Sequence, residues 1–464
     1  MPSSSTSARL DVAIVGAGAC GALVAWHLLG RDAADDGALR VALVEPRAAL
    51  AQGVAYSTPR AEHILNVNAA RMSAFDTRPD DFLQYLAAQP EAGGQEIDAL
   101  AGVFAPRRVY GRYLAQRLAT RAAAAAPERR TDAAVDIRPE AGGYALSLAS
   151  GAALHARAVV LALGNLPAAL PLPPGAVAPA GVVEAWDHAA VAAIDPGDEV
   201  CIVGAGLSMV DVVLTLHANG HRGRITAVSR HGLMPLAHAP GTLPQAGGID
   251  ALLPLGVHAR MRMLRRWAAE AVAAGRPWQD AMERLRPQVQ ALWTSLPADE
   301  QRRFLRHAVR YWDIHRHRIA PEAAAVLAEL QAAGRFTLRA GHLHAVEAGP
   351  PLQVRVRARG TGRVDTLAVD RLVNATGMHK ALRGAPDPLL PALQARGLVR
   401  AGPHGLGVDT TVDGQLRGAD GVPVPGLWTL GALRIGSLWE SIAMPELRGQ
   451  AARVAACARA YVAR

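Results

Sequence analysis

DVAIVGAGACGALVAWHLL, residues 11–29, decides how the rest of the 464-residue chain is read. Val12-Ala13-Ile14-Val15 is an apolar run of the kind that forms a buried parallel strand. Gly16, Gly18 and Gly21 follow in G-x-G-x-x-G spacing, and an apolar helix comes next. In such a turn the first glycine permits the bend, the second lets a pyrophosphate approach the backbone, and the third lets helix and strand pack closely. The free N–H groups and positive dipole end of the helix then face the phosphates. A second strand, Val41-Ala42-Leu43-Val44, ends in Glu45, where the pattern requires a carboxylate for ribose hydroxyls.

The same sentence is written twice. Glu199-Val200-Cys201-Ile202-Val203-Gly204-Ala205-Gly206-Leu207-Ser208-Met209 parallels residues 11–21, with Met209 in place of the third glycine. Asp370-Arg371-Leu372-Val373-Asn374-Ala375-Thr376-Gly377 parallels the apolar strand Arg157–Leu163 that closes on Gly164. Between each fingerprint and its glycine-terminated strand lies a short alternating β pattern, as in AAVDIRPE and GYALSLAS. The chain therefore reads as an internal duplication: an α/β protein with two Rossmann-like dinucleotide-binding domains, the second inserted into the first. Residues 9–175 and 370–464 are expected to form the first domain and 198–369 the second. A helical insertion is expected at about 249–334, where apolar residues recur every three or four positions. The strand Gly426–Leu430, ending in Gly431, is expected to complete the first domain, with a final helix from about Glu440-Ser441.

The two fingerprints differ where the nucleotide is chosen. Glu45 suits a free ribose diol. The corresponding strand of the second copy, Ile225–Val228, ends in Ser229-Arg230-His231, so a cation replaces the acid and favours a 2′-phosphate. A carboxylate would repel that phosphate, so the missing acid matters as much as the arginine. The first copy thus suits FAD or NAD, and NADPH, with NADH as the lesser choice, is expected in the second.

Composition is that of a globular protein: half the residues are apolar and 19% are charged. The net charge of +9 is almost all arginine, since Lys380 is the only lysine, and it is dispersed rather than blocked. That pattern points to phosphate-bearing cofactors or an acidic small-molecule substrate and away from nucleic acid. Cys20, Cys201 and Cys457 form no C-x-x-C pair, so a dithiol redox centre is not expected. The glycines and His27 within Val12–Gly30 argue against a membrane span, and MPSSSTSARLD lacks the order of a signal peptide. A cytoplasmic location is the expectation; oligomeric state is not legible.

VAIVGAGACG with Glu45, GVAYST, ILNVNAARMSAF, CIVGAGLSMVD, AVSRHG and VNATG together resemble the bacterial FAD/NAD(P)-binding proteins of the two-dinucleotide flavoprotein superfamily. That group is similar to flavin-containing monooxygenases and to lysine and ornithine N-hydroxylases. The resemblance spans nearly the whole chain and is thinnest over 250–330. It implies that Asn66, Arg71 and Met72 lie along FAD, and that the reaction is oxygenation of an amine or other small polar metabolite by molecular oxygen. Two departures stand out. The stretch GVVEAWDHAAV holds Trp186 and His188 but not the F-x-G-x-x-x-H pattern of flavin monooxygenases. Ala432, not an acid, follows Gly431, which disfavours disulfide reduction.

Candidate cofactor residues are thus Gly16, Gly18, Gly21, Glu45, Arg71, Met72, Gly164, Gly204, Gly206, Ser208, Ser229, Arg230, Gly377, Gly431 and Ser441. Ser441 is expected at the start of the final helix, whose dipole would stabilise negative charge on a reduced flavin. Candidate catalytic residues are Asn66 together with Asp313 and His315 from WDIHRHR, the densest polar cluster of the insertion. No metal site is expected, because H-x-H alone is too little. The alternatives are a flavin reductase or oxidase without oxygen insertion, or a flavin-bound redox sensor or interaction protein.

Overall fold

The computed structural model describes residues 9–30, 38–123, 126–240 and 248–464. The stretch read against a signal peptide, residues 1–11, lies outside the described residues up to residue 8. The chain divides into two compact units: residues 1–58, 68–166 and 379–464 make the first, and 59–67 and 167–378 the second.

The first unit starts with β1 (Leu10–Val15) and β2 (Val41–Val44), parallel neighbours in the register Val15↔Val44. Val12, Ala13 and Ile14 are wholly buried. Burying a side chain the size of valine or isoleucine is worth about 1.5–3 kcal/mol, which is why this apolar run takes the centre of the sheet. The helix Ala19–Leu28 connects the two strands, and the helix Arg107–Ala122 leads to β3 (Glu128–Arg130) on the far side of β2. The alternating segment forms an antiparallel meander of β4 (Ala134–Glu140), β5 (Gly143–Leu148) and β6 (Ala153–Leu161). Strand β6 then turns inward and pairs in parallel with β1, Val15 opposite Leu161.

The second unit repeats the plan. Strands β7 (Val182–Glu184), β8 (Val200–Val203), β9 (Ile225–Ser229) and β10 (Phe336–Glu347) are followed by β11 (Leu352–Ala358), β12 (Val364–Val369) and β13 (Arg371–Asn374). The sheet order is β12-β11-β10-β9-β8-β13-β7, parallel from β10 to β7 and antiparallel through β11 and β12. Strand β13 pairs with β8 and β7, so residues 370–378 lie in the second unit, and the return to the first begins at His379 rather than at 370. The reason is the repeat itself: β13 stands to β8 as β6 stands to β1. The chain then completes the first sheet with β14 (Gln415–Arg417) and β15 (Pro423–Thr429), giving β14-β15-β6-β1-β2-β3.

The helical stretch is shorter as an insertion than its periodicity suggests. The helices between Val257 and Arg316 are extra to the sheet plan, and a π turn at Phe304–Ala308 interrupts them. The helix Pro321–Ala332 is instead the crossover before β10: Ala323, Leu327 and Leu330 pack into the core beneath β8 and β9. Among the described residues no helix is long and apolar enough to cross a membrane.

Candidate functional site

Each sheet ends its central strands in one row, and each row carries glycines. In the first unit the registers Val15↔Val44, Val15↔Leu161 and Leu161↔Thr429 bring the ends of β1, β2, β6 and β15 side by side. Gly16, Glu45, Gly164 and Gly431 follow those ends within a few residues. Open α/β sheets bind ligands at such carboxyl-terminal edges.

The glycines divide by what holds them. Gly16 has φ +92°, and an added Cβ would stand 2.3 Å from the Ala162 carbonyl oxygen. A Cβ on Gly21 would stand 1.9 Å from the Gly16 oxygen. These two are fixed by packing. Gly18 has φ −67°, ordinary for any residue, and its Cβ would meet the Gly53 Cα at 3.1 Å, the Gly53 nitrogen at 3.5 Å and Arg47 Nη2 at 4.0 Å. It starts the helix Ala19–Leu28 with no side-chain cap, leaving the first N–H groups to an outside acceptor. The cradle thus fits a pyrophosphate. Elsewhere in the same unit, buried Asn68 Oδ1 and Tyr110 Oη have no hydrogen-bond partner. Such atoms are costly unless something satisfies them.

Glu45 is 3% exposed. Its carboxylate accepts from the Ala17 N–H at 3.0 Å and from Arg47 through Nε at 2.8 Å and the backbone N–H at 3.2 Å. Burial alone would push this carboxyl up, but the Arg47 guanidinium and the Ala17 amide outweigh it and hold it below the usual carboxylate range. Arg47, which is half exposed, was not among the residues expected from the pattern.

Gly431 and Ser441 meet, though not as expected. The final helix begins at Met444, and Trp439 and Glu440 take left-handed φ values of 36° and 58°. Ser441 therefore sits in a bend before the helix. It is fully buried and donates to the Gly431 carbonyl at 2.8 Å. Gln450 closes the loop, accepting from the Gly431 N–H at 3.0 Å and donating to the Ser441 carbonyl at 2.9 Å. Pro445 in the first helical turn explains the late start. Buried Arg434 braces the next turn, donating to the carbonyls of Thr411 and Val412 at 3.1 and 2.8 Å; burial pulls it down to about 10. Met72 is buried behind the short turn Ala69–Arg71, which ends at Arg71.

The second row is built the same way, with Val203 opposite Val228 and Asn374. Gly204 has φ +113°, and a Cβ there would stand 2.1 Å from the Ala375 oxygen. Gly206 has φ −97°, caps the helix Leu207–Ala218 without a side-chain bond, and faces open space where a Cβ would be. Met209 fills the position of the third glycine with a wholly buried side chain. Ser208 accepts from the Trp186 indole N–H at 3.1 Å, so Trp186 orients it. Gly377, like Gly164, has open space around its missing Cβ. Asn374 is buried and donates to Glu184 at 2.9 Å and to the Ala168 carbonyl at 2.8 Å, tying β13 to β7.

At the end of β9, the Ser229 hydroxyl accepts from the Gly232 N–H at 3.2 Å. Arg230 is exposed. Arg359, from the turn after β11, donates to His231 Nδ1 and reaches the Arg230 carbonyl at 3.5 Å. Burial lowers the His231 imidazole first, and Arg359, Arg230, Arg310 and His342 lower it further. The charged groups that lower His231 are all basic side chains. Arg359 and Arg310 come from elements far along the chain, and no local pattern announces them.

Of the candidate catalytic residues, Asp313 and His315 share one helix, and Asn66 lies in a loop far from them in sequence. Asn66 lies in the segment 59–67, in the second unit, whereas Arg71 and Met72 lie in the first. Its carbonyl accepts from His238 Nε2 at 3.0 Å, and burial with Arg318 nearby lowers His238 to about 4. Asp313 accepts from Arg310 at 3.0 Å, while His315 donates to the Tyr311 carbonyl at 2.7 Å. Two residues apart on one helix, they face opposite sides. Among the described residues no three or more of His, Cys, Asp and Glu gather as metal ligands.

His238 gives a pH signature. Its folded pKa lies below the unfolded value of 6.5, so the unfolded chain binds the extra proton. Its contribution is complete above pH 6.5 and is lost as pH falls toward 4, by about 3 kcal/mol at most. Urea unfolding at pH 7.5 and 5 is expected to show this loss and His238→Gln to shrink it; an unchanged pH slope would contradict it.

The family described as FAD-NAD(P)-binding matches residues 13–166. No curated protein sequence matches the chain. The reduced ornithine hydroxylase of Pseudomonas aeruginosa aligns over 98% of this chain and 99% of its own, with TM-score 0.66 and 17% identity. The ornithine N-hydroxylase of Kutzneria sp. 744, solved with reduced FAD, NADP⁺ and L-ornithine, aligns over 97% and 99%, with TM-score 0.64 and 17% identity. The FAD-bound cadaverine monooxygenase of the desferrioxamine pathway in Erwinia amylovora covers 98% and 95%, with TM-score 0.66 and 12% identity. Residues 13–166 thus match the family described as FAD-NAD(P)-binding, and the chain as a whole has the fold of these three structures.

Proposed function

We propose that this chain is a FAD-dependent, NADPH-consuming monooxygenase that hydroxylates the amine nitrogen of a small metabolite. The observation that carries this reading is the pair of glycine cradles, one in each unit, within a fold shared end to end with enzymes of that chemistry. When bound, the cofactors supply the hydride and the activation of molecular oxygen, so that one oxygen atom goes to the amine and the other to water.

The chain's own residues supply binding and orientation. Gly18 and the uncapped helix behind it receive the FAD pyrophosphate, and Glu45, held charged by Arg47, faces the ribose. Gln450 and Ser441 fix the turn at Gly431, and Arg434 fixes the turn beyond it. In the second unit Gly206 admits the NADPH pyrophosphate, and Arg230 with Arg359 takes the 2′-phosphate. Three free cysteines, two of them raised to about 12 by burial, agree with a reducing cytoplasmic setting and not with thiol redox work.

The test is stoichiometry. Purified protein given NADPH and ornithine, lysine or cadaverine is expected to consume one NADPH and one oxygen per hydroxylamine formed. Hydrogen peroxide alone, with no hydroxylamine from any of a broad amine panel, would overturn the reading in favour of an oxidase.

A further inference from the structure

Four of the chain's seven tyrosines, in a sequence that is only 4% aromatic, gather in one place in the first unit. The ring centroids of Tyr56 and Tyr110 stand 4.8 Å apart, those of Tyr110 and Tyr113 5.4 Å, and those of Tyr113 and Tyr85 5.3 Å. Phe82 packs against Tyr110 and Tyr113. The row starts beside the first glycine cradle. Tyr56 closes the short helix Gly53–Tyr56, and the Gly53 Cα is the atom nearest to where a Cβ on Gly18 would stand. Tyr56 is also close enough to Cys20, two residues beyond Gly18, for the thiol to act on its ionisation.

Packing alone does not call for phenols here. Phenylalanine fills the same space, and a buried hydroxyl without a partner costs stability. Tyr110 is wholly buried, and its Oη has no hydrogen-bond partner. Tyr113, also wholly buried, is different: it donates to Asp81 Oδ2 at 2.6 Å, within reach for proton transfer. Asp81 is buried and held by Arg117 at 2.8 Å and Arg78 at 3.2 Å. The Ala74 N–H donates to Tyr113 Oη at 3.1 Å, so phenol and carboxylate are fixed against each other. A phenol surrenders an electron easily only when its proton leaves with it. Within the row, among the described residues, Tyr113 alone donates to a carboxylate.

We propose that Tyr56, Tyr110 and Tyr113 form an electron path that quenches a one-electron oxidant arising at the first cradle, the radical coming to rest on Tyr113. Tyr113 loses one electron by way of Tyr110 and Tyr56, the oxidant gains it, and the Tyr113 hydroxyl proton passes to Asp81. One electron and one proton from a thiol in solution then restore the phenol. Tyr110, with no acceptor for its proton, passes the electron on without keeping the radical. That the natural oxidant is an oxygen-derived radical from unproductive turnover rests on the oxygenase reading; the path itself does not.

Flavin-loaded, full-length protein is flashed with blue light, which makes oxidised flavin a one-electron oxidant, and transient absorption and electron paramagnetic resonance follow the tyrosyl radical. Tyr113→Phe is expected to cut the long-lived radical at least tenfold, and Tyr110→Phe to slow its appearance at least threefold. Tyr144→Phe, in the same unit but outside the row, is expected to change neither. Thermal unfolding checks that each variant folds. The parent in heavy water, which needs no variant, is expected to form the radical at least twofold more slowly, because proton and electron leave together. A photogenerated ruthenium(III) polypyridyl in solution repeats the comparison without flavin, on a Tyr311→Phe background that removes an exposed tyrosine. A protein that takes up no flavin would sink the oxygenase reading and leave the ruthenium arm to decide the path. Three results would each overturn the proposal: no tyrosyl radical in the parent with either oxidant, an undiminished radical in Tyr113→Phe, or an equal loss in Tyr144→Phe. The last would mean that the row is core packing only.

Discussion

Gly206→Val is expected to fold, keep its flavin and lose its response to NADPH, with the Michaelis constant rising a hundredfold or more, a loss of about 2.7 kcal/mol or greater. The expectation rests on what the glycine is for. Gly206 has a φ that any residue adopts, and a Cβ there would meet no protein atom within 4 Å. The space a valine would take is the space a pyrophosphate needs. Gly18→Val is the counterpart in the first unit, expected to give a folded but colourless protein, although its Cβ must push Gly53 aside by a few tenths of an ångström. Gly204→Ala should behave in the opposite way. A single methyl there collides with a backbone carbonyl at a left-handed φ, so the fold itself should lose roughly 1–3 kcal/mol or more. Thermal unfolding, flavin absorbance after gel filtration and NADPH kinetics separate the cases. A Gly206→Val protein that reduces its flavin with unchanged NADPH kinetics would remove the second cradle from the mechanism.

The distinction between these glycines shows what a sequence can carry. The duplicated strand–glycine–helix pattern was legible because each copy is local: an apolar run, a fixed spacing and an apolar helix lie within twenty residues. The repeat marked β6 and β13 as equivalent strands, yet β13 was expected in the first domain, and only its pairing with β8 puts it in the second. The spacing does not tell a glycine needed by the fold from one needed by a ligand, since Gly16 and Gly18 are equivalent letters until the Ala162 carbonyl is seen beside one of them. Periodicity also failed to separate the crossover helix Pro321–Ala332 from the insertion, because both bury every third or fourth residue. Ser441 was expected at the start of the final helix but lies in the bend before it, since the left-handed residues Trp439 and Glu440 carry no turn signature. Asp313 and His315 were grouped by proximity in the chain, which on a helix puts residues i and i+2 on opposite sides. Arg359 and Arg47 were invisible for opposite reasons: Arg359 is 129 residues from Arg230, and Arg47 is one arginine among 48.

That remote arginine supports the second large expectation. Removing both Arg230 and Arg359 should raise the Michaelis constant for NADPH by two orders of magnitude or more while changing that for NADH less than threefold. Each hydrogen bond from a guanidinium to a phosphate is worth about 1.5–3 kcal/mol, so one arginine accounts for roughly ten- to a hundredfold. The two should not add fully, because they touch one another: Arg359 reaches the Arg230 carbonyl and donates to His231 between them. Removing Arg359 alone also relieves His231 of its nearest positive charge, so that imidazole should titrate closer to its ordinary value. The single variant then retains a cation at low pH, and its NADPH affinity should improve as pH falls into the acid range, which the double variant carrying His231→Gln should not do. Added salt should weaken NADPH more than NADH in the parent, since exposed charges are screened within about 10 Å at 0.1 M, and the difference should vanish when both arginines are gone. Equal losses for the two nucleotides would mean that these arginines hold the hairpin in place rather than read the phosphate, and the preference for NADPH would then have to be sought elsewhere in the second unit.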